Sequence, residues 1–208
     1  HEIKNPLAGI KGAAQLLAKT AEQKALPLIN LIVTEVDRIA RIIDQIQHLG
    51  SRRPPKLEAS NIHVLLDRAI QSLRAANPKP PSIRINFDPS LPDVIVDPDA
   101  MLQILINLLQ NACDALRDTE APEITITTRF LMSGALKAPV DNQGVPETIA
   151  DELFSPFVTS KRDGQGLGLA IVQKLMRDMS GRVSHERDRE AGLTNFRLLL
   201  PITDWRHS

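Results

Sequence analysis

Apolar residues recur at alternating spacings of three and four along both halves of the first 49 residues. This is the heptad pattern of helices that pack side by side, so it predicts two helices joined at residues 20–26. Two short helices cannot bury both seams alone, and a second copy is expected to complete a four-helix bundle in a homodimer. The seam positions are Ile3, Leu7, Ile10, Ala14 and Leu17, then Ile29, Ile32, Val36, Ile39, Ile43 and Ile46.

The pattern changes after a segment that contains Gly50 and two prolines. We interpret residues 1–49 as one domain, 50–56 as a linker and 57–208 as a second domain. Helices and mostly antiparallel strands in this order predict an α+β sandwich, with one sheet covered by a layer of helices. The predicted helices are 61–76, 99–117 and 168–180, and the predicted strands are 83–87, 94–96, 123–130, 182–187 and 194–200.

The amino-acid composition excludes several classes of protein. Hydrophobic residues make up 42% of the chain and charged residues 24%, as in ordinary soluble domains. A net charge of zero and an aromatic content of 3% give no support to a nucleic-acid partner. No apolar run approaches the roughly 20 residues that span a bilayer. Cys113 is the only cysteine, so an internal disulfide and a cysteine-based zinc site are excluded. The chain begins inside a motif rather than at Met, and an upstream segment is expected.

The first candidate motif is His1-Glu2-Ile3-Lys4-Asn5-Pro6-Leu7. If Ile3 and Leu7 face the partner helix, His1 and Asn5 lie one turn apart on the outward face. A neutral, accessible imidazole is a nucleophile, and the adjacent Glu2 carboxylate could accept its ring proton. Asn5 could orient a water molecule that hydrolyses the product of the nucleophilic reaction. This motif indicates a candidate nucleophile on the first helix, and the alternative is that His1 is an ordinary exposed residue of that helix.

The second motif spans residues 103–115 and contains two asparagines four residues apart. Asn107 and Asn111 therefore lie on one face of a strongly apolar helix. Mg²⁺ prefers oxygen ligands and often bridges a side chain to nucleotide phosphates, and Asn111 could supply that oxygen. The alternative is that both residues merely cap an apolar helix.

Two later motifs are suited to a nucleotide. In Asp141-Asn142-Gln143-Gly144, a loop carboxylate could accept a hydrogen bond from an adenine amino group. Gly164, Gly166 and Gly168 lead directly into a predicted helix, whose N-terminus favours phosphate. Lys161 precedes them as a flexible cation. The glycines match no Walker A pattern, because no Gly-Lys-Ser/Thr follows them.

Together these motifs resemble the H, N, G1 and G2 boxes of two-component sensor histidine kinases. Leu153-Phe154-Ser155-Pro156-Phe157 resembles the F box, so five boxes occur in the family's order. The stretches HEIKNPL, SPFVTSK and GQGLGLAIV are most similar to nitrogen-regulation kinases of the NtrB type. The resemblance covers nearly the whole chain, and it implies a dimerising phosphoacceptor hairpin followed by a Bergerat-type ATP-binding domain.

The resemblance also implies a role for each matching residue. His1 would be the phosphoacceptor, Glu2 its base, and Asn5 would serve phosphatase activity toward the partner. ATP and Mg²⁺ are the implied cofactors, with Asn111 as the metal ligand. The implied partners are an NtrC-like response regulator receiver domain and, as a candidate, a PII-type signal protein, in the cytoplasm. The implied nucleotide-binding residues are Asn107, Asn111, Asp114, Asp141, Gly144, Phe157, Lys161, Gly164, Gly166, Leu167 and Gly168.

The G1 box departs from the family pattern. Asp141-Asn142-Gln143-Gly144 is one residue short of Asp-x-Gly-x-Gly, and Ala138-Pro139-Val140 is too short to predict a central strand before it. Either this loop is unusual or residues of the loop are missing from the sequence, and we expect the second. Two alternatives remain open: an ATPase of the gyrase and chaperone type, or a degenerate kinase that binds nucleotide or docks a regulator. The ATPases carry a Glu where this chain has Asn107, and an amide cannot act as a base.

Overall fold

A computed structural model describes residues 3–50, 53–130, 140–143, 152–159, 166–188 and 193–202. The chain divides into two compact units, His1–Ser51 and Arg52–Ser208. Among the described residues, no helix combines the length and the hydrophobicity needed to cross a bilayer.

The first unit is an antiparallel helical hairpin. Helix α1 spans Lys4–Ala18 and α2 spans Leu26–Gly50, one residue beyond the predicted helical domain. Lys11 Nζ donates to both carboxylate oxygens of Asp37, at 2.7 and 3.0 Å, and Lys4 pairs with Asp44. The earlier lysine of α1 pairs with the later aspartate of α2, and the later lysine with the earlier aspartate. These ion pairs therefore follow the antiparallel register of the two helices.

Each predicted seam is only half buried within the hairpin. Leu7 and Ala14 of α1, and Ile29 and Val36 of α2, are buried between the helices. Ile43 is half-buried, and the six remaining seam positions recur at the same seven-residue spacing but are 42–60% exposed. We call this set the open face: Ile3, Ile10, Leu17, Ile32, Ile39 and Ile46. The hairpin therefore satisfies one half of its heptad pattern and leaves an apolar face uncovered.

The second unit combines helices and strands in the order β1-α3-β2-β3-α4-β4-β5-α5-β6-β7. Every helix and strand predicted here is present; the strand at 94–96 has the predicted bounds, and the others have shifted ends. The strand predicted at 123–130 ends at Thr127, because the hydroxyl of Thr128 accepts a hydrogen bond from Asp88 N beyond the ladder (3.0 Å). The bounds are β1 Glu58–Ser60, α3 Ile62–Ala76, β2 Ser82–Asn86, β3 Val94–Val96, α4 Pro98–Ala115, β4 Glu123–Thr127, β5 Val140–Gln143, α5 Gly168–Asp178, β6 Arg182–Asp188 and β7 Leu193–Leu199.

The strands form a mixed five-stranded sheet in the order β2-β4-β5-β7-β6. Strand β2 runs parallel to β4, and the other neighbours are antiparallel. A second, two-stranded sheet pairs β1 with β3. The expectation of a single sheet was therefore wrong, because three-residue β1 is too short for period-two alternation to reveal it.

Strand β5 also corrects a prediction. Asp141 lies in this strand, at the centre of the five-stranded sheet, and not in a loop. The expectation that no central strand forms at this point was wrong. Backbone pairing with β4 on one side and with β7 on the other holds the polar segment in place, with Asp141 opposite Asn195.

The core lies between the sheet and its helices. Ile124 and Ile126 of β4, and Phe196 and Leu198 of β7, alternate inward as predicted and are buried. Helix α4 contacts α3, α5 and β5, so it occupies the middle of the helical layer. It begins at the N-cap Asp97, whose Oδ1 accepts from Asp99 N and Ala100 N at 3.1 Å each. This position of α4 brings its polar face against α5.

Candidate functional site

Asn107 and Asn111 of α4 face the start of α5. Asn107 Nδ2 donates to the Gly168 carbonyl oxygen at 3.4 Å. A Cβ at Gly168 would lie 3.9 Å from Asn111 Nδ2, so the glycine backbone lies beside both asparagines. Both side chains are half-buried, whereas the neighbouring residues Ile104, Leu108 and Ala112 of α4 are fully buried in the core. The predicted common face of the two asparagines therefore adjoins the glycine-rich motif.

The first turn of α5 has no side-chain cap at Leu167, which is itself buried. The first backbone N–H groups of a helix lack helical acceptors and favour an anion. Gly166 precedes this turn at φ +64°, a left-handed conformation that glycine adopts readily. The start of α5 thus offers backbone donors beside the side-chain amides of Asn107 and Asn111.

The F-box segment, residues 152–159, contacts this glycine. Phe157 N donates to the Gly166 carbonyl oxygen at 2.9 Å. A Cβ at Gly166 would lie 2.4 Å from the carbonyl carbon of Phe157, which is far inside van der Waals contact. Phe157 has φ +67° and a side chain that is 69% exposed. The structure therefore joins the F box to the G2 box through backbone contacts that leave no room for a side chain.

The other predicted residues are distributed as follows. Asp141 lies in β5, whose backbone alone is described, and α4 contacts this strand. Asp114 Oδ1 accepts from Arg117 Nη2 at 3.1 Å and from Gln110 Nε2 at 3.5 Å along its own helix. Asn5 is exposed on α1, as predicted. The roles of these residues stay predictions. His1, Glu2, Gly144, Lys161 and Gly164 lie outside the described residues.

Gln103 is part of this site and was not predicted to act in it. Its Nε2 donates to Asn107 Oδ1 at 3.0 Å, one turn before Asn107 on the same face of α4. Polar side chains four residues apart on a helix are neighbours, so the spacing itself was the available signal.

Cys113 lies in the same helix as the asparagines and is half-buried. Burial raises the pKa of its thiol, and the neighbouring Asp114 carboxylate raises that pKa further. The thiol is therefore protonated at neutral pH and is a poor nucleophile.

The described donors and acceptors fit a magnesium nucleotide. The amide oxygen of Asn111 is a ligand of the type Mg²⁺ prefers, and the backbone N–H groups at the start of α5 suit phosphate oxygens. When bound, Mg²⁺ would neutralise charge on the phosphates. The residues that would hold the group are Asn111, Gly168 and the turn that begins at Gly166.

Two family comparisons cover the chain. Residues 96–204 match the family described as histidine kinase-, DNA gyrase B-, and HSP90-like ATPases. Residues 1–55 match the His Kinase A phospho-acceptor domain.

Curated relatives are similar over nearly the full chain. The sensory histidine kinase/phosphatase NtrB of Rhodobacter capsulatus is 38% identical over 97% of this chain and 60% of its own length. The protein so described from Rhizobium meliloti is 37% identical over 98% of this chain and 56% of its own length. The chain thus spans less than two thirds of the relatives it matches.

Solved structures show the same architecture. Full-length ShkA, in complex with AMPPNP, has a TM-score of 0.78 at 26% identity and covers 97% of this chain, which spans 44% of ShkA. The catalytic domain of the histidine kinase ThkA has a TM-score of 0.58 at 26% identity, over 70% of this chain and 95% of that domain.

Proposed function

The chain belongs to the family of histidine kinase-, DNA gyrase B- and HSP90-like ATPases, and from this premise we propose that it acts as an ATP-dependent protein histidine kinase. It transfers the γ-phosphoryl group of ATP to His1 and then to an aspartate of a response regulator receiver domain. Similarity to sensory histidine kinase/phosphatase NtrB proteins over 97–98% of the chain supports a role in nitrogen regulation and a phosphatase activity. We propose an NtrC-like regulator as the target of both activities and a PII-type protein as a further partner. We propose the cytoplasm as its location.

The observation that carries the proposal is the packing of Asn107 and Asn111 against Gly168 at the start of α5. In the proposed mechanism Asn111 would hold Mg²⁺ through its amide oxygen, and the turn at Gly166–Gly168 would bind phosphate oxygens. Glu2 takes the proton from one ring nitrogen of His1 while the other nitrogen forms a bond to the γ-phosphorus, and the bond from that phosphorus to the bridging oxygen breaks to release ADP. Phosphoryl transfer depends mainly on such positioning and charge neutralisation.

The arrangement of Asn107 argues against an ATPase that hydrolyses ATP directly. A water-activating residue at this position needs a basic oxygen. Asn107 offers an amide, and its NH₂ group is bonded to the Gly168 carbonyl while its oxygen accepts from Gln103. Neither atom can take a proton from water at neutral pH.

We expect Asn111→Ala to weaken Mg²⁺-dependent binding of ADP or AMPPNP by about 10- to 100-fold, because a ligand of a charged group is lost. Calorimetric titration with and without Mg²⁺ measures the effect. Gln110→Ala is the matched control, since Gln110 is the preceding residue of α4 and is exposed. Equal affinities for Asn111→Ala and wild type in Mg²⁺ would contradict the metal role.

We also propose that the kinase is a homodimer built through the open face. This face carries six large apolar side chains at heptad spacing, and each isoleucine or leucine buried contributes about 1.5–3 kcal/mol. The His Kinase A match over residues 1–55 supports the same assembly. Two hairpins joined in this way form the four-helix bundle that the sequence predicts.

Ile10→Lys is expected to weaken the dimer about 100-fold or more, because each of the two copies loses an apolar contact and would bury a charge. Sedimentation velocity over a range of concentrations measures the change. Gln15→Lys adds the same charge to an exposed position of α1 outside the seam and is expected to leave the dimer intact. A monomeric wild type would refute the assembly, and an unchanged Ile10→Lys dimer would place the interface elsewhere.

A further inference from the structure

Two hydrogen bonds connect Gln103, Asn107 and Gly168 in series. Gln103 Nε2 donates to Asn107 Oδ1 at 3.0 Å, and Asn107 Nδ2 donates to the Gly168 carbonyl oxygen at 3.4 Å. The first bond runs along α4, and the second crosses from α4 to the first residue of α5. Gln103 and Asn107 are both half-buried.

The direction of this series is fixed by its last member. A backbone carbonyl oxygen can only accept, so Asn107 must turn its NH₂ group toward Gly168. Its remaining polar atom, Oδ1, can also only accept, and the partner on that side must be a donor. The Gln103 amide meets this requirement by presenting Nε2. A side chain that only accepts at position 103 would favour the opposite orientation of the Asn107 amide.

We propose that Gln103 is a positioning residue for the nucleotide site. Its amide holds Asn107 in the one orientation that bonds the start of α5, and so keeps Gly168 beside Asn111. Gln103 lies eight residues before Asn111, about two helical turns or ~12 Å along α4, too far to touch the metal itself. The inference rests on the proposed nucleotide-binding function, but the hydrogen bonds exist without a nucleotide.

Three substitutions of similar length separate a donor role from a packing role. Gln103→Glu is nearly isosteric but only accepts, Gln103→Lys only donates, and Gln103→Met does neither. All four residues are good helix formers, so α4 itself is little affected. If hydrogen-bond donation by residue 103 matters, wild type has the highest nucleotide affinity and the best-protected start of α5. Gln103→Lys then follows, Gln103→Met comes next, and Gln103→Glu is lowest. If shape alone matters, the isosteric Glu variant is the mildest.

The first readout is hydrogen exchange of peptides that cover residues 166–176 in the protein without nucleotide. We expect exchange there to be faster in Gln103→Glu and Gln103→Met than in wild type, and close to wild type in Gln103→Lys. Because no ligand is present, the added charges cannot act on phosphates. Exchange that is fastest in Gln103→Lys, or unchanged in all three variants, would overturn the inference.

The second readout is the dissociation constant of Mg-AMPPNP by calorimetry, where Gln103→Glu is expected to weaken binding by about tenfold. Gln71→Glu places the same charge at an exposed position of α3 and is expected to bind like wild type. In an Asn107→Ala background the Gln103→Glu effect should disappear, and a full additive loss would overturn the inference. If wild type binds no nucleotide, the proposed function fails, while the hydrogen-exchange order still decides the role of Gln103.

Discussion

Gly166→Ala is expected to reduce nucleotide affinity at least about tenfold while the chain remains folded. The glycine has φ +64°, and an L-residue in that region costs roughly 1–2 kcal/mol. The added methyl group would lie 2.4 Å from the carbonyl carbon and 2.5 Å from the next backbone nitrogen of the Phe157-Val158 peptide. Because these atoms belong to the backbone, the F-box segment or the turn before α5 must move. A shift of the turn displaces the donors at the start of α5, and a shift of the F-box segment breaks the Phe157 N bond that holds this turn.

Gly168→Ala is the matched comparison. Its Cβ would lie 3.9 Å from Asn111 Nδ2, which is ordinary van der Waals contact, and alanine favours the helix that begins there. We therefore expect a smaller loss of affinity than for Gly166→Ala. Calorimetric titration with AMPPNP, alongside circular dichroism to verify folding, measures both. A Gly168→Ala loss that equals or exceeds the Gly166→Ala loss would contradict this account of the motif.

His1→Gln is expected to abolish phosphorylation of the chain and to leave nucleotide affinity unchanged. The account assigns His1 as the only acceptor, and glutamine has no nucleophilic ring nitrogen. We propose that the nucleotide binds in the second unit, at the candidate site of Asn111 and Gly168. The variant therefore separates the transfer of the phosphoryl group from the binding of ATP.

The chain's other histidines provide matched controls for this substitution. They are His48, His63, His185 and His207. Single His→Gln variants at these positions should still be labelled when they are incubated with γ-labelled ATP. His63 contacts Thr128 Oγ1 at 3.0 Å and stacks on Phe87, so a modest loss of stability is expected there without loss of the label. Label that persists in His1→Gln would show that another residue is the acceptor.

Apolar periodicity predicted the helices and most strands because these elements bury one face. Helix α4 and strand β7 follow that rule closely. Strand β5 does not, since Asp141, Asn142 and Gln143 are polar residues with poor strand propensity. It forms because β4 and β7 pair with its backbone, and a local pattern does not contain that information. The heptad pattern likewise predicted the apolar seam positions, but it did not show which of them are buried within one hairpin and which form the open face.

Only those features of the candidate site that follow from residue spacing along a helix could be predicted from the sequence. Four-residue spacing placed Asn107 and Asn111 on one face, and the structure adds that this face meets Gly168. The left-handed backbone of Phe157 and its contact with Gly166 depend on two segments that meet in space. The role of Gln103 was predictable only in part. Its spacing from Asn107 was visible, but the acceptor that fixes their orientation lies in α5.

The most direct test of the kinase is incubation of the purified wild-type chain with Mg²⁺ and γ-labelled ATP, followed by treatment of the product with acid and with base. A phosphoramidate on histidine is lost in acid and survives base, and the account predicts label of that kind on a peptide that contains His1. Acid-stable label, or no label on a chain that binds ATP and is dimeric, would contradict the assignment as a histidine kinase.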